Sequence, residues 1–184
     1  MAKIASRENS VRKQTNRRGI LLMFTNTDSD RFLYKLVVIS DIHHDLHRLE
    51  RLVPVINAAD YLIFCGDGVD DIMRERGRFT VPILCVRGNN DIGSNITELV
   101  TTVFGNTRAL VTHGHRQGVR QGMTNLMLLA QQKNCHLVFF GHTHAYFDMV
   151  ANGIHFINPG ALCNGTYALV AGDGNNFMCK MGVV

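Results

Sequence analysis

The sequence LVVISDIH at residues 36–43 decides the fold of this chain. It begins with an unbroken apolar run, which is typical of a parallel strand buried on both faces. Asp41 and His43 follow at the carboxyl end of that strand, and leucines recur at helical spacing from Leu46 onward. A buried strand, a polar loop and a helix in this order predict the first unit of an α/β sheet.

Four further apolar runs end in the same way, with Asp, Asn or His at the carboxyl end. The polar residues are Asp67 after YLIFCG, Asn89 and Asp91 after VPILCVRG, His113 and His115 in ALVTHGH, and His142 and His144 in LVFFGHTH. In open α/β sheets the functional site lies in the crevice at the carboxyl ends of the strands. Any one of these residues alone could be a helix N-cap or an ordinary loop residue. The ordered set predicts one shared site.

The apolar pattern predicts two successive strand arrangements. Residues 32–86 follow a βαβαβ order, although Pro54 predicts a kink or an early end in the first helix. After residue 98 the pattern favours mixed and antiparallel strands, with a hairpin turn at Asn152-Gly153. We therefore expect an α/β fold in which two packed mixed β-sheets are flanked by helices, an αββα sandwich. Residues 31–184 are expected to form a single domain.

Composition excludes several classes of protein. Hydrophobic residues make up 46% of the chain and charged residues 18%, which fits a folded domain rather than a disordered one. The apolar runs are much shorter than the roughly 20 residues of a membrane span, and no signal-peptide pattern is present, so we expect a cytoplasmic protein without a membrane partner. The five cysteines include no CxxC pair. That spacing favours reduced, packed thiols over disulfides or a thiolate zinc site.

The positive charge is concentrated near the N-terminus. Residues 1–22 contain six Lys/Arg and one Glu, and the whole chain has a net charge of +4, so the remainder carries −1. Residues 1–30 are expected to form a basic, irregular extension. Such a tail could bind an anionic polymer. The rest of the chain has no excess of basic residues, so nucleic-acid binding is not expected.

The residue types of the predicted site favour two divalent metal ions. Oxygen and imidazole ligands suit manganese, which we expect first, and also iron, zinc, nickel or magnesium. The seven ligands, which in chain order are Asp, His, Asp, Asn, His, His and His, are too many for one tetrahedral ion and fit two ions that share a bridge. Two ions bring +4, whereas Asp41 and Asp67 supply −2. A hydroxide and an anionic substrate would balance the rest, which indicates a phosphate ester.

These motifs resemble those of a known family, the calcineurin-like metallophosphoesterase superfamily. The likeness rests on DxH at 41–43, GD at 66–67, GNxD at 88–91, THGH at 112–115 and GHTH at 141–144. INPG at 157–160 and the short spacing are similar to the small YfcE-type phosphodiesterase branch. The resemblance covers the chain from about residue 33 to the C-terminus.

The resemblance divides the metal ligands between two ions. It assigns Asp41, His43 and His144 to the first ion, Asn89, His113 and His142 to the second, and Asp67 to the bridge. A hydroxide between the ions is expected to attack phosphorus in line, while the ions stabilise the developing charge. Gly66, Gly88 and Gly141 are expected to let the backbone turn sharply beside the ligands.

Other positions near the predicted ligands have open assignments. Asp91 is predicted to serve the catalytic site through hydrogen bonds rather than as a direct ligand, and His115 is either catalytic or structural. Many larger members of the superfamily have a histidine that protonates the leaving group where this chain has Asn90, which is no acid at neutral pH. Two further departures are His44 in place of the usual Gly and Ala161 in place of the Ser of NPGS.

The sequence thus predicts a binuclear-metal-dependent phosphoesterase, with phosphodiesters preferred over monoesters. That preference follows from the resemblance and from the few cationic side chains near the site, of which Arg87 is a candidate for substrate binding or for an ion pair. The alternative is a scaffold protein that binds partners through a phosphoesterase fold, like the retromer subunit of this branch. The physiological substrate, the native metal and a possible homo-oligomer are left open.

Overall fold

The structure, a computed structural model, describes residues 33–184 and contains two five-stranded β-sheets. The strands are β1 (Tyr34–Ile39), β2 (Tyr61–Phe64), β3 (Ile83–Cys85), β4 (Leu99–Phe104), β5 (Thr107–Thr112), β6 (Leu137–Phe139), β7 (Tyr146–Ala151), β8 (Ile154–Pro159), β9 (Thr166–Gly172) and β10 (Phe177–Val183). The first sheet has the order β10-β9-β1-β2-β3, and the second has the order β4-β5-β6-β8-β7. The basic extension predicted at residues 1–30 and the predicted strand start at Phe32 lie outside the described residues.

Successive residues of β1 face two different cores, as expected of a strand buried on both faces. Leu36 and Val38 pack in the cluster between the two sheets, which also contains Val111 and Phe139 of the second sheet. Val37 and Ile39 face the other way, into a cluster shared with the helices on the outside of the first sheet. The expected αββα class is confirmed, and the DxH motif follows closely on the four buried strand residues 36–39.

Three α-helices lie among the described residues, and they cover the outer faces of the sheets. They are α1 (Leu46–Asn57), α2 (Val69–Glu75) and α3 (Thr124–Gln132). The predicted early end of the first helix is wrong, because α1 continues past Pro54 to Asn57. The buried residues Leu52 and Ile56 lie on either side of the proline. Their packing outweighs the backbone hydrogen bond that proline cannot donate.

The second sheet combines parallel and antiparallel pairs, as the change of pattern after residue 98 predicted. β6 lies between β5 and β8 and is parallel to both, whereas β4 and β7 are antiparallel to their neighbours. The predicted hairpin at Asn152-Gly153 is present, with φ values of 51° and 74° at the two turn residues. No helix within residues 33–184 is long and apolar enough to cross a membrane.

Candidate metal centre

The loops after β1, β2, β3, β5 and β6 carry the predicted ligands, and the structure brings these side chains together. Five of the seven ligand residues have positive φ: Asp41 (54°), His43 (46°), Asp67 (62°), His142 (68°) and His144 (59°). Non-glycine residues rarely adopt this conformation, which costs about 1–3 kcal/mol at each position. Such a concentration of backbone strain is typical of a functional site.

The first group of ligands is Asp41, His43 and His144. The Nε2 atoms of the two histidines lie 3.2 Å apart. Asp41 Oδ1 lies 3.0 Å from His144 Nε2 and 3.7 Å from His43 Nε2. The other carboxylate oxygen of Asp41 accepts a hydrogen bond from the backbone N–H of His142, at 3.1 Å. Asp41 Oδ1 and the two Nε2 atoms are therefore close enough together to face a single ion position.

The second group of ligands is Asn89, His113 and His142. His113 Nε2 lies 3.2 Å from Asn89 Oδ1 and 3.2 Å from His142 Nδ1. The opposite ring nitrogen of His113, Nδ1, donates to the carbonyl oxygen of Cys65 at 2.8 Å. In the neutral ring this bond assigns the proton to Nδ1 and leaves the lone pair of Nε2 facing the cluster.

Asp67 lies between the two groups. Its Oδ2 atom is 4.0 Å from His43 Nε2 of the first group and 3.4 Å from His113 Nε2 of the second. The structure therefore brings all seven predicted ligand residues to one cluster, with the predicted bridge in the middle. Their binding of ions stays a prediction.

The buried acceptor atoms of this cluster fit metal cations. Asp41 Oδ1 is buried and has no hydrogen-bond partner among residues 33–184, although two ring nitrogens face it. Around His113 Nε2, the oxygens of Asn89 and Asp67 are acceptors as well. Acceptors that face one another in a buried place need a proton or a cation between them. Oxygen and imidazole donors suit manganese, iron, nickel or zinc.

The charges within the cluster shift several pKa values in the metal-free chain. Burial alone would raise the pKa of Asp67, but the hydrogen bond and charge of His113 lower it to about 2. Burial lowers the pKa of His113, yet its contacts with Asp67 and the nearby Asp41 outweigh burial, and the net shift is upward. Burial and the charge of His113 lower the pKa of His142 to about 4. Asp67 is thus ionised and His142 neutral at pH 7, the forms that bind cations.

Two glycines leave room that the ligands occupy. A Cβ atom on Gly88 would lie inside 3.0 Å of Asp67 Oδ1, and one on Gly66 would lie 2.9 Å from His113 Nδ1. Gly66 has a φ of 96°, as the predicted sharp turn requires. Gly88 and Gly141 do not have positive φ. At these two positions the close approach of other side chains requires glycine, since a Cβ atom on Gly141 would lie inside 3.0 Å of both Ser40 Oγ and Asp41 Oδ2.

Asp91 and Asn90 both hold the loop that carries Asp67. The carboxylate of Asp91 accepts hydrogen bonds from the backbone N–H groups of Asp67, Gly68, Val69 and Gly88 at 2.7–2.8 Å. The side-chain amide of Asn90 donates to Asp67 Oδ2 at 2.7 Å. Asp91 thus acts through hydrogen bonds to the backbone. The hydrogen bond from Asn90 to Asp67, the candidate bridge, was not predicted from the sequence.

His115 and Arg87 both face Glu98. Arg87 Nη2 lies 2.7 Å from Glu98 Oε1 in an ion pair. His115 Nε2 lies 3.8 Å from the same oxygen, and its Nδ1 is buried without a hydrogen-bond partner in the described part of the chain. Burial and the charge of His113 lower the pKa of His115. Its ring packs beside His113, with centroids 5.4 Å apart, so this histidine lies next to the second group without joining it.

Sequence reasoning missed Asn158, Arg120 and Asp71, and it did not predict the contact of His44 with Asp71. Asn158 of INPG is buried and donates to the carbonyl oxygen of Gly141, which holds the GHTH loop. Arg120 donates to the carbonyl oxygen of His142. His44 Nδ1 lies 3.2 Å from Asp71, and both line an open pocket beside Asp67. The INPG motif was a signal for Asn158, whereas Arg120 and Asp71 belong to no motif.

A two-sheet α/β sandwich with carboxylate, amide and imidazole ligands clustered at strand ends is the arrangement of a metallophosphoesterase. The chain belongs to the calcineurin-like phosphoesterase superfamily, whose domain model matches residues 34–173. The predicted resemblance to this superfamily is confirmed.

Two relatives and three solved structures show how far the similarity extends. The chain is 30% identical over 128 residues to the probable metallophosphoesterase YsnB of Bacillus subtilis, covering 69% of this chain and 74% of that protein. It is 32% identical over 135 residues to the probable metallophosphoesterase MG207 of Mycoplasma genitalium, covering 71% and 78%. A predicted phosphoesterase from Streptococcus pneumoniae has a TM-score of 0.70 at 25% identity, covering 82% of this chain and 89% of that one.

Two more distant structures share the fold. Vps29 of Entamoeba histolytica, complexed with zinc, has a TM-score of 0.65 at 18% identity and covers 81% of this chain and 98% of its own. An archaeal phosphodiesterase has a TM-score of 0.65 at 20% identity, and the match covers 80% of this chain and 99% of that one. The same sandwich therefore occurs in a protein described as an enzyme and in a vacuolar sorting protein.

Proposed function

We propose that this protein is a binuclear-metal-dependent phosphoesterase that prefers phosphodiesters. The observation that carries the proposal is the position of Asp67, 4.0 Å from His43 of one ligand group and 3.4 Å from His113 of the other. A carboxylate between two groups of ligands suits a bridge between two divalent ions. When bound, the ions would acidify a water molecule between them and stabilise negative charge on the phosphoryl oxygens.

The charges around the cluster favour a substrate with a single negative charge. Arg87 and Arg116 both pair with Glu98, and Arg120 donates to a backbone carbonyl. The nearby guanidinium groups are thus already engaged, which leaves the dianion of a monoester with little added stabilisation. A phosphodiester carries one charge and needs fewer cationic side chains. The named archaeal phosphodiesterase with this fold agrees with that preference.

A scaffold protein on the same fold is the second candidate, because the vacuolar sorting protein Vps29 has this architecture. Two features favour the enzyme. All seven ligand residues are present and converge, and five of them have a strained backbone. Strain of about 1–3 kcal/mol at each position is retained where function requires it. The convergent, strained ligands therefore favour a metal-dependent enzyme over a protein that only binds partners.

The decisive experiment measures hydrolysis by metal-stripped protein that has been reloaded with one divalent metal at a time. The substrates are nitrophenyl diesters, the matching monoesters and cyclic nucleotides. We expect turnover only with metal, and faster turnover of diesters. Asp67→Asn should abolish turnover, whereas Asp148→Asn, an exposed matched control outside the cluster, should not. Two bound ions without hydrolysis of any substrate would favour the scaffold.

The expected cytoplasmic location stays a prediction.

A further inference from the structure

Cys163 lies beside the first ligand group, in a short 3₁₀ turn (Leu162–Asn164) that follows the INPG motif. The turn is bound to the DxH loop by two backbone hydrogen bonds. Cys163 N–H donates to the carbonyl oxygen of Asp41 at 3.2 Å, and Leu162 N–H donates to that of Ser40 at 2.9 Å. The position of the thiol relative to the first ligand group is therefore set by the backbone.

The sulfur completes a group of three ligand atoms. Cys163 Sγ and a ring nitrogen of each of His43 and His144 all lie within 4.8 Å of one another. Two ligands bound to one ion at about 2.1 and 2.3 Å can be at most about 4.4 Å apart. Small side-chain rotations thus bring all three atoms within bonding distance of one ion.

A second observation favours a cation at the same position. Asp41 Oδ1 is buried, faces the ring nitrogens of His43 and His144, and has no hydrogen-bond partner in residues 33–184. The sulfur itself makes only a weak hydrogen bond within residues 33–184, to Asn164 Oδ1 at 4.0 Å. Cys163 is also a free thiol, with no disulfide partner.

We propose that Cys163 supplies a thiolate ligand to the first ion, in addition to Asp41, His43 and His144. The inference rests on the proposed metal centre and extends it to metal choice. On binding, the S–H bond breaks, a sulfur–metal bond forms, and the proton leaves to solvent. A soft sulfur donor favours zinc, iron or cobalt over manganese and magnesium. The two metal positions therefore differ in their ligands, since only the first has a thiolate. The first position selects a softer ion than the expected manganese.

Cobalt spectroscopy tests this ligand without any measurement of activity. Metal-stripped protein is titrated with Co²⁺, and the near-ultraviolet absorption that arises from thiolate-to-cobalt charge transfer is recorded. We expect this band in the unmodified protein and in Cys179→Ser, whose thiol contacts the Tyr146 hydroxyl instead. Cys163→Ser should lose the band but keep the visible cobalt bands. Its zinc affinity should fall roughly tenfold or more, and its manganese affinity by less.

Alkylation gives an independent readout. Bound zinc should slow the reaction of Cys163 with iodoacetamide, measured on its peptide by mass spectrometry. If two cobalt ions bind without the charge-transfer band, or if zinc does not protect Cys163, the thiolate assignment is wrong while the proposed metal centre stands. If no ion binds, both are wrong.

Discussion

The carboxylate of Asp91 accepts a hydrogen bond from the backbone N–H of Asp67 at 2.8 Å. The same oxygen, Oδ2, accepts from Gly88 N–H, and the other, Oδ1, accepts from Gly68 and Val69. One side chain thereby connects the GD motif with the GNxD motif. It also holds Asp67 in its strained backbone conformation, with φ at 62°. Asp91 is therefore a positioning residue for the candidate bridge.

Asp91→Asn should destabilise the metal-free protein by about 2–3 kcal/mol. The substitution replaces one carboxylate oxygen with an NH₂ group, which cannot accept, so two backbone N–H groups lose their partner. Metal affinity should fall as well, because Asp67 is no longer held in place. Urea denaturation of the metal-free variant and a metal titration check the two effects. Asp70→Asn, on the exposed side of the neighbouring helix α2, is the control and should change stability by a few tenths of a kcal/mol. Unchanged stability in Asp91→Asn would contradict the positioning assignment.

Gly88→Ala should reduce metal affinity roughly tenfold or more. A Cβ atom at this position would lie inside 3.0 Å of Asp67 Oδ1, so the carboxylate must move away from the ligand cluster. Crowding of this kind costs about 1–3 kcal/mol of stability. Gly77→Ala is the matched control, because a Cβ there has nothing within 4 Å. Calorimetric metal titration of both variants measures the difference, and equal affinities would show that Asp67 does not bind the ions.

Much of this centre was predictable because its ligands follow continuous apolar strands. The runs before Asp41 and Asp67 are buried on both faces, and a buried strand sets where the next residue lies. Contacts that depend on tertiary packing were not predictable. Asn90 was known to lack an acid group, but its hydrogen bond to Asp67 depends on how two loops meet. The absence of a CxxC spacing predicts a packed thiol at Cys163, whereas the fold brings it to His43 and His144.

The metal-free protein should lose stability as pH rises through the pKa of His113. That pKa is raised above its ordinary value in the folded chain, because the hydrogen bond and charge of Asp67 outweigh the lowering effect of burial. A raised folded pKa contributes stability that is fully present below the unfolded pKa and is lost as pH rises through the folded value. The contribution of Asp67 to stability has the opposite pH dependence, because its pKa is lowered to about 2. Its contribution is present above its unfolded value of roughly 4 and is lost as pH falls toward 2.

Metal binding should show the opposite dependence near neutral pH, because His113 must lose its proton to become a ligand. Metal affinity should therefore increase as pH rises from 6 through the pKa of His113. His142 should not contribute over that range, since its pKa is about 4. Thermal unfolding and metal titration across pH 6–9 measure both curves. Asp67→Asn removes the main cause of the raised pKa and should move the stability loss to lower pH. A stability curve that is the same in the variant and the unmodified protein would contradict this account.

The rate of hydrolysis should depend steeply on the pKa of the leaving group. Asn90 occupies the position of the missing acid, and its side-chain amide donates to Asp67 Oδ2 at 2.7 Å. We expect that His115 does not replace it, since its Nε2 faces Glu98 and its Nδ1 is buried. The leaving group must therefore depart nearly unassisted, so nitrophenyl diesters should react much faster than alkyl diesters. His115→Ala should leave the slope unchanged.

Asn90→His should make the rate of hydrolysis less dependent on the pKa of the leaving group, because it places an acid at the edge of the pocket that Asn90 lines. General acid catalysis is typically worth 10²–10⁴-fold, and that gain should appear for alkyl diesters and be nearly absent for nitrophenyl diesters. Asn90→Gln is the matched control, because it keeps an amide and adds no acid. The measurement is the logarithm of the rate against leaving-group pKa, at equal metal content, for each protein. A shallow slope in the unmodified protein would mean that another residue already donates the proton. His44, whose Nδ1 lies 3.2 Å from Asp71 Oδ1, would then be the first residue to mutate.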